Sequence, residues 1–460
     1  MNILLMESHY RSRSWFKALQ GLGDLYIISM LGEERRLFLS SGVNEKNILN
    51  LHNPDLKNLD YLDSRDYLVD AEKRLEFVTN EVILTDRTMR LKDHVYVTKY
   101  LAYIIDKIEN FLSFNKIGVV FIEPTWTHEI LTCKICEKLH IPVWAPQKSK
   151  LVPDKFFFFS GYKNEIAFER TTNTETDIDV IGDEVLNYVE VNNKPQYFRK
   201  FNKRSVLTLS KFSVLYDITK LAITNDKNVN IQPSWPYSVK KKIAAIMRAP
   251  FLMRFAGFCM QSDIQDPYVL VTLHVQPEAS IDVVGGRYAD QLNFIRCLVR
   301  TTPSTHLVVI KEHPHAFGDR KLAFYRELTT MPRVMILSPW EESRKSIMNA
   351  EIVISNTGTS SLEAALLGIP GVTATRMYFE KLMVIPSFDP SIQSISELLL
   401  RAKKWKKVMN HSKVKRELGK IKKNLFSGNS GDFKTDSNVL SGDNISKLRE
   451  AFLEVINFYR

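Results

Sequence analysis

The chain has 460 residues, 44% of them hydrophobic and 25% charged, with a formal charge of +11 at pH 7. That length supplies two or three cores of ordinary size, and the composition is that of a soluble globular protein. No run of about 18 apolar residues occurs, which excludes a spanning helix. Met1 to Glu7 lacks a basic region followed by an apolar stretch and a small-residue cleavage site, so it reads as a first core strand in a cytoplasmic protein.

In chain order, strand and helix signals alternate. Asn2 to Met6 is a strand, His9 to Ser14 a polar loop, Trp15 to Leu22 a helix and Leu25 to Met30 a second strand. From about Thr88 to Phe114 apolar residues recur at helical spacing, among them Val97, Leu101, Ile104, Ile105 and Ile108. Gly118 to Ile122 is a buried strand that ends in Glu123-Pro124-Thr125-Trp126-Thr127-His128-Glu129 and runs into a helix ending near His140. Ile141 to Ala145 is the next strand. The pair Cys133 and Cys136 falls inside that helix with no second pair, so it reads as two helix residues and not as a zinc or redox site. From Asn164 to Asp266 the pattern is polar, basic and partly helical.

A second alternating region begins near Pro267. Tyr268 to His274 is a strand, Val275 to Arg287 a long loop, Tyr288 to Arg300 a helix, and His306 to Ile310 a strand running into Lys311-Glu312-His313-Pro314-His315. Phe324 to Leu328 is helical, Val334 to Leu337 a strand, Ser343 to Met348 a helix and Glu351 to Ser355 a strand. A hydroxyl-rich turn and another helix follow, then a strand at Gly371 to Ala374 and a last helix from Asn444 to Asn457. The expected fold is α/β of the GT-B type: two doubly wound Rossmann-like domains facing a central cleft, with a C-terminal helix closing the pair. Expected boundaries are residues 1–160 for an acceptor-side domain, 161–266 for a basic helical connector, 267–435 for a nucleotide-sugar domain and 436–460 for the closing helix.

Three strand ends of the second domain carry polar residues, and parallel topology brings such ends to one edge. The first offers His274, Gln276, Glu278 and the loop Gly285-Gly286-Arg287, where glycines admit close backbone approach and arginine neutralises phosphate. The second offers Lys311, Glu312 and His313, with Pro314 fixing the turn. An imidazole there can donate to a phosphate oxygen or protonate a leaving phosphate. The third is Ser355-Asn356-Thr357-Gly358-Thr359-Ser360-Ser361 with Glu363 a turn further on. Hydroxyls and unpaired N–H groups at a helix start suit a phosphate, and Glu363 suits a ribose.

Leu273-His274-Val275-Gln276-Pro277-Glu278-Ala279-Ser280 and Gly285-Gly286-Arg287-Tyr288-Ala289-Asp290-Gln291 resemble segments of the capsule polysaccharide biosynthesis family, which includes Kdo transferases. Val309 to Pro314, Ser355 to Thr359 with Glu363-Ala364, and Gly428-Asn429-Ser430-Gly431-Asp432 resemble its later blocks. The resemblance is dense over residues 268–435. It implies a GT-B glycosyltransferase that needs no metal or cofactor and uses a nucleotide-sugar donor, CMP-Kdo or CMP-sialic acid in kind, with a UDP-sugar open. The acceptor it implies is a surface polysaccharide or glycolipid. His313 would contact the donor phosphate; Ser360 and Ser361, or Thr357 and Thr359 with Gly358 between them, would bind the same phosphate, and Glu363 would hold the ribose. The hydroxyl turn also aligns with the phosphate loop of UDP-sugar 2-epimerases. Such an epimerase, a CDP-polyol phosphotransferase of the teichoic-acid type and a non-catalytic capsule-assembly subunit are the other readings.

Transfer needs a base for the acceptor hydroxyl. Glu123, His128 and Glu129 are the first candidates, with Glu7 and His9 behind them, and Glu278 or Glu312 can position the sugar. The charge is uneven: residues 401–423 hold eleven Lys or Arg and one acid, Glu417. A second patch joins Lys240-Lys241-Lys242 and Arg248 to the apolar Phe251-Leu252-Met253-Arg254-Phe255. Such helices suit an anionic membrane surface, which places the protein peripherally on the inner face of the cell membrane. No nucleic-acid module is recognisable, so nucleic acid is not an expected partner.

Overall fold

The computed structural model describes residues 1–7, 11–170, 182, 228–231 and 235–460. His9 and much of the expected connector lie outside the described residues. Two compact units divide the chain. One comprises residues 1–170, 224–233 and 424–460, the other 171–223 and 234–423.

The first unit runs β1 (Asn2–Met6), α1 (Ser12–Leu19), β2 (Asp24–Ser29), α2 (Gly32–Ser40), β3 (Ile48–Asn50), α3 (Tyr61–Leu75), α4 (Thr79–Thr85), α5 (His94–Phe114), β4 (Ile117–Phe121), α6 (Thr127–Lys138), β5 (Val143–Lys148) and β6 (Lys155–Ser160). Helix α5 starts later than the apolar periodicity suggests because Asp93 caps it, its carboxylate accepting from Val95 N at 2.9 Å and Tyr96 N at 3.3 Å. The second unit contributes α7 (Trp235–Phe255), β7 (Phe258–Cys259), β8 (Tyr268–Thr272), α8 (Ala279–Asp282), α9 (Gln291–Thr301), β9 (Leu307–Lys311), α10 (Leu322–Thr330), β10 (Val334–Leu337), α11 (Ser343–Met348), β11 (Ile352–Ser355), α12 (Thr359–Leu366), β12 (Gly371–Thr373), α13 (Ile395–Val408) and α14 (His411–Lys423). The chain then returns to the first unit with β13 (Phe426–Ser427) and α15 (Gly442–Phe458).

The first sheet has the order β13-β6-β5-β4-β1-β2-β3. Its β5-β4-β1-β2-β3 part is parallel, and β6 and β13 pair antiparallel at one edge. The second sheet, β12-β11-β8-β9-β10-β7, is parallel throughout. Both are Rossmann-like, and the second explains its own sequence: β9 and β11 are buried at every position, as helices on both faces demand.

The C-terminal segment is where the sequence boundaries and the structure part. Residues 424–435 belong with the first sheet, since Phe426 pairs with Phe156, and not with the domain that precedes them. Helix α15 completes that unit's core, with the Phe452 ring 4.7 Å from Phe121 and 5.2 Å from Phe158. Truncating a ring so enclosed costs about 3–5 kcal/mol. The connector is also smaller than expected: Ala249, Leu252 and Ala256 lie in or just after α7 and pack in the second unit's core. Cys133 and Cys136 are buried on α6, and burial raises both thiols, which keeps them unreactive. Among the described residues no helix is long and apolar enough to cross a membrane.

Candidate functional site

In the second sheet, β9 and β10 lie on one side of β8 and β11 and β12 on the other. The connections therefore part between β8 and β11, and an open parallel sheet has its crevice at the carboxyl ends of such a pair. The loops after β8, β9 and β11 all start there, and they carry the three polar groups singled out in the sequence.

His274 follows β8. Its Nε2 accepts from the Thr357 N–H at 3.4 Å, which joins the β8 and β11 ends directly. Its main chain is held by Gln291, the first residue of α9: the Gln291 Oε1 accepts from His274 N at 2.7 Å, and Nε2 donates to the His274 carbonyl at 3.3 Å. The same Nε2 donates to Gln276 Oε1 at 3.1 Å. Gln276 in turn donates to Asp282 Oδ1 at 2.6 Å, and Asp282 Oδ2 accepts from Glu278 N at 3.0 Å. Gln276 thus builds the loop, while the Glu278 side chain is left exposed. Gly285 and Gly286 serve the loop as well. A Cβ on Gly285 would meet the Ile281 carbonyl oxygen at 2.3 Å, and Gly286 has φ +53°. Arg287 reaches outward, 77% exposed, with Asp389 3.5 Å away.

His313 caps the short turn after β9. Its Nδ1 accepts from His315 N at 3.2 Å, which puts the ring proton on Nε2. Burial, with the neighbouring charges of His315 and His274, lowers its pKa to about 4. The ring is therefore neutral near pH 7 and offers Nε2–H as a donor. Of the two roles open to this imidazole, donation to a phosphate oxygen suits the neutral state better than protonation of a leaving group.

Lys311 and Glu312 are placed differently from expectation. The Lys311 ammonium is buried and donates to the carbonyls of Pro339 at 3.0 Å and Ser338 at 3.2 Å, and burial lowers its pKa to about 8. Glu312 is fully buried. Its Oε1 takes the His313 N–H at 2.6 Å and Arg320 Nη1 at 2.5 Å, and its Oε2 takes the Tyr325 hydroxyl at 2.7 Å. With both oxygens engaged it holds the His313 turn and is not available to a sugar, which corrects the positioning role expected for it. Arg320 and Tyr325 carry no motif signal, and Gln291 looks like any helix residue, so their contribution is not legible in the sequence.

The hydroxyl turn is divided. Ser361 Oγ lies 2.7 Å from Ser355 Oγ and donates to the Val372 carbonyl at 2.7 Å, and Thr357 Oγ1 donates to the Ser280 carbonyl at 2.7 Å. Those two hydroxyls fasten the turn to its surroundings. Ser360 Oγ meets Thr272 Oγ1 at 2.6 Å, across to β8. Gly358 is the N-cap of α12 and no side chain caps that helix, so its first-turn N–H groups are left to an external acceptor. Thr359 and Ser360 are partly exposed at that start. Glu363, one turn on, is half-buried; desolvation raises its pKa and Arg344 opposes the shift.

In the first unit, β1 lies between β4 and β2, so its switch point is at the ends of β1 and β4. Glu123 follows β4, is 17% exposed at its side chain and pairs with Arg11. His128 and Glu129 are 2% and 0% exposed. Glu129, in the first turn of α6, reaches back over the helix start, accepting from Thr125 N at 2.6 Å and Trp126 N at 2.9 Å. The helix start accounts for Glu129, and the burial of both side chains corrects their place as first-rank bases. Glu7, after β1, is 2% exposed, and its Oε2 takes the Ser29 hydroxyl and the N–H groups of Met30 and Leu31 at 2.7–2.9 Å.

No family model and no curated protein matches the chain. Among solved structures it is similar to a UDP-GlcNAc 2-epimerase from Methanocaldococcus jannaschii, at 14% identity over 88% of this chain and 91% of that one, with a TM-score of 0.24. It is also similar to the KpsC β-Kdo 2,4-transferase of Thermosulfurimonas dismutans, at 10% identity over 62% and 79% of the two chains, with a TM-score of 0.34. The KpsC β-Kdo 2,7-transferase of the same organism gives 12% identity over 77% and 90%, with a TM-score of 0.33. At these identities and scores the likenesses assign neither activity nor ligand.

Proposed function

We propose that the chain is a GT-B glycosyltransferase that binds a nucleotide-sugar donor at the carboxyl edge of its second sheet and transfers the sugar to a surface polysaccharide or glycolipid. The observation that carries this reading is the contact of His274 with Thr357 across the β8/β11 switch point, beside the neutral His313 and the uncapped start of α12. Helix N–H groups and a neutral imidazole Nε2–H are donors aimed at an anion, and a leaving nucleotide phosphate is where negative charge grows during sugar transfer. Glu363 then holds the ribose, and Arg287, the exposed cation of the adjoining loop, adds charge at the diphosphate or monophosphate. Thr357 and Ser361 support the turn through their hydroxyls, so the phosphate contacts fall to main-chain N–H groups with Thr359 and Ser360. In the first unit Glu123 is the candidate base with side-chain exposure.

A thermal-shift series with CMP, CDP and UDP, followed by incubation with labelled CMP-Kdo, CMP-sialic acid, UDP-sugars and CDP-glycerol, tests the proposal. Stabilisation by a nucleotide and transfer of a sugar to an acceptor are expected. Transfer of a polyol phosphate, or epimerisation without an acceptor, would replace the reading, and no stabilisation by any nucleotide would remove it.

A further inference from the structure

Helix α7 presents a face that the nucleotide site does not use. It carries five basic residues, Lys240, Lys241, Lys242, Arg248 and Arg254, and no acidic one. Ala245, Ala249 and Leu252 form its inward side, at 7%, 1% and 0% exposure. At about 100° per residue, the opposite direction falls to Ile243, Met247 and Phe251. These are 43%, 70% and 63% exposed, and Phe255 continues the four-residue step at 52%. The Phe251 and Phe255 rings lie 5.5 Å apart on the surface.

This reverses the usual arrangement of a surface helix, whose solvent side is polar. The same outward side also carries Lys240 and Arg254, both exposed. An apolar strip framed by cations fits one environment well: the boundary between acyl chains and anionic headgroups. There the apolar side chains leave water while the long basic stems carry their charges to the phosphates. A second copy of the chain fits poorly, because an isologous contact would set this acid-free, cationic strip against itself. We infer that the outward face of α7 docks on an anionic lipid surface, with Ile243, Met247 and Phe251 entering the headgroup layer and Lys240 and Arg254 on lipid phosphates. The inference deepens the acceptor side of the proposed function, since a lipid-linked acceptor resides at such a surface. Its test reads no turnover and no nucleotide, so the two fail separately.

The test is co-sedimentation of the full-length protein with vesicles of phosphatidylglycerol and phosphatidylcholine, and with vesicles of phosphatidylcholine alone. Partition onto the anionic vesicles is expected, with little onto the neutral ones. The doubly substituted M247D/F251D should lose at least about tenfold in partition, and K240E/R254E about tenfold or more. L62D, at a residue 53% exposed on α3 of the first unit, should bind as the wild type does. Circular dichroism melts confirm that each variant is folded. Equal uptake by both vesicle types, no uptake by either, or M247D/F251D binding like the wild type would each overturn the inference. So would a concentration-dependent dimer that M247D/F251D abolishes in a protein that ignores vesicles.

Discussion

Arg320 and Glu312 form a buried ion pair, Nη1 to Oε1 2.5 Å, and the same guanidinium donates to the main-chain carbonyl of His274. One side chain therefore fixes the loop after β9 to the loop after β8, and with them the two imidazoles of the site. Arg320→Ala leaves Glu312 buried and unpaired, so it should cost about 3–5 kcal/mol in urea unfolding. Arg320→Lys keeps the charge without the fork and should fall between. Nucleotide stabilisation should drop in both variants. An unfolding midpoint unchanged in Arg320→Ala would show that the pair does not organise the site.

His313 is expected to act as a neutral donor. Its imidazole is lowered from 6.5 to about 4, so its contribution to stability is present above pH 6.5 and is lost as the pH falls through 4. His313→Ala should lower kcat/KM by about 10²–10³-fold while the protein remains folded at neutral pH. His313→Gln, which retains an N–H donor, should keep part of the rate. Turnover at the wild-type level in His313→Ala would sink the assignment.

How much of this is legible in the sequence follows from the range of the interactions. Strands β8, β9 and β11 announce themselves as unbroken apolar runs because both sheet faces are covered, and the polar residues that follow them fall at one edge by topology. His313-Pro314 and the hydroxyl turn are local patterns, and the sequence displays them. The inner roles of Glu312 and Ser361 stay hidden, because they depend on partners such as Tyr325 and Val372 that no local spacing reveals. Strand β13 is invisible for a similar reason: it has two residues, and its partner Phe156 lies on the far side of the whole second unit in sequence. Glu129 shows the converse case, a carboxylate that sequence pattern allows as a base and that cap geometry occupies.

Glu7 should leave a mark on stability against pH. Burial, aided by the nearby Glu34 carboxylate, raises it from 4.5 to about 8 in spite of the three donors on Oε2. A raised carboxyl contributes stability that is full below 4.5 and is lost as the pH climbs through 8. Glu7→Gln keeps an acceptor for the same donors and cannot ionise. Urea midpoints taken from about pH 5 to about pH 8 should therefore fall more in the wild type than in Glu7→Gln. Parallel profiles would mean that Glu7 does not hold its proton in the folded state.

Gly358 and Ser361 separate ligand binding from stability within a single turn. Gly358 has φ −77°, which alanine adopts without strain. A Cβ there would lie 3.1 Å from Ser355 Cβ and 3.2 Å from His274 Cε1, so the neighbour that must yield includes the imidazole facing Thr357. Gly358→Ala should fold with little loss and weaken nucleotide binding by about tenfold, read by isothermal titration. Ser361→Ala removes a buried hydroxyl that satisfies the Val372 carbonyl, so it should cost about 1–3 kcal/mol of stability. At a temperature where that variant is fully folded, its nucleotide affinity should stay near the wild-type value. If both variants lost affinity equally, the hydroxyl of Ser361 would itself be a ligand contact, and the division of the turn into fastening and binding groups would be wrong.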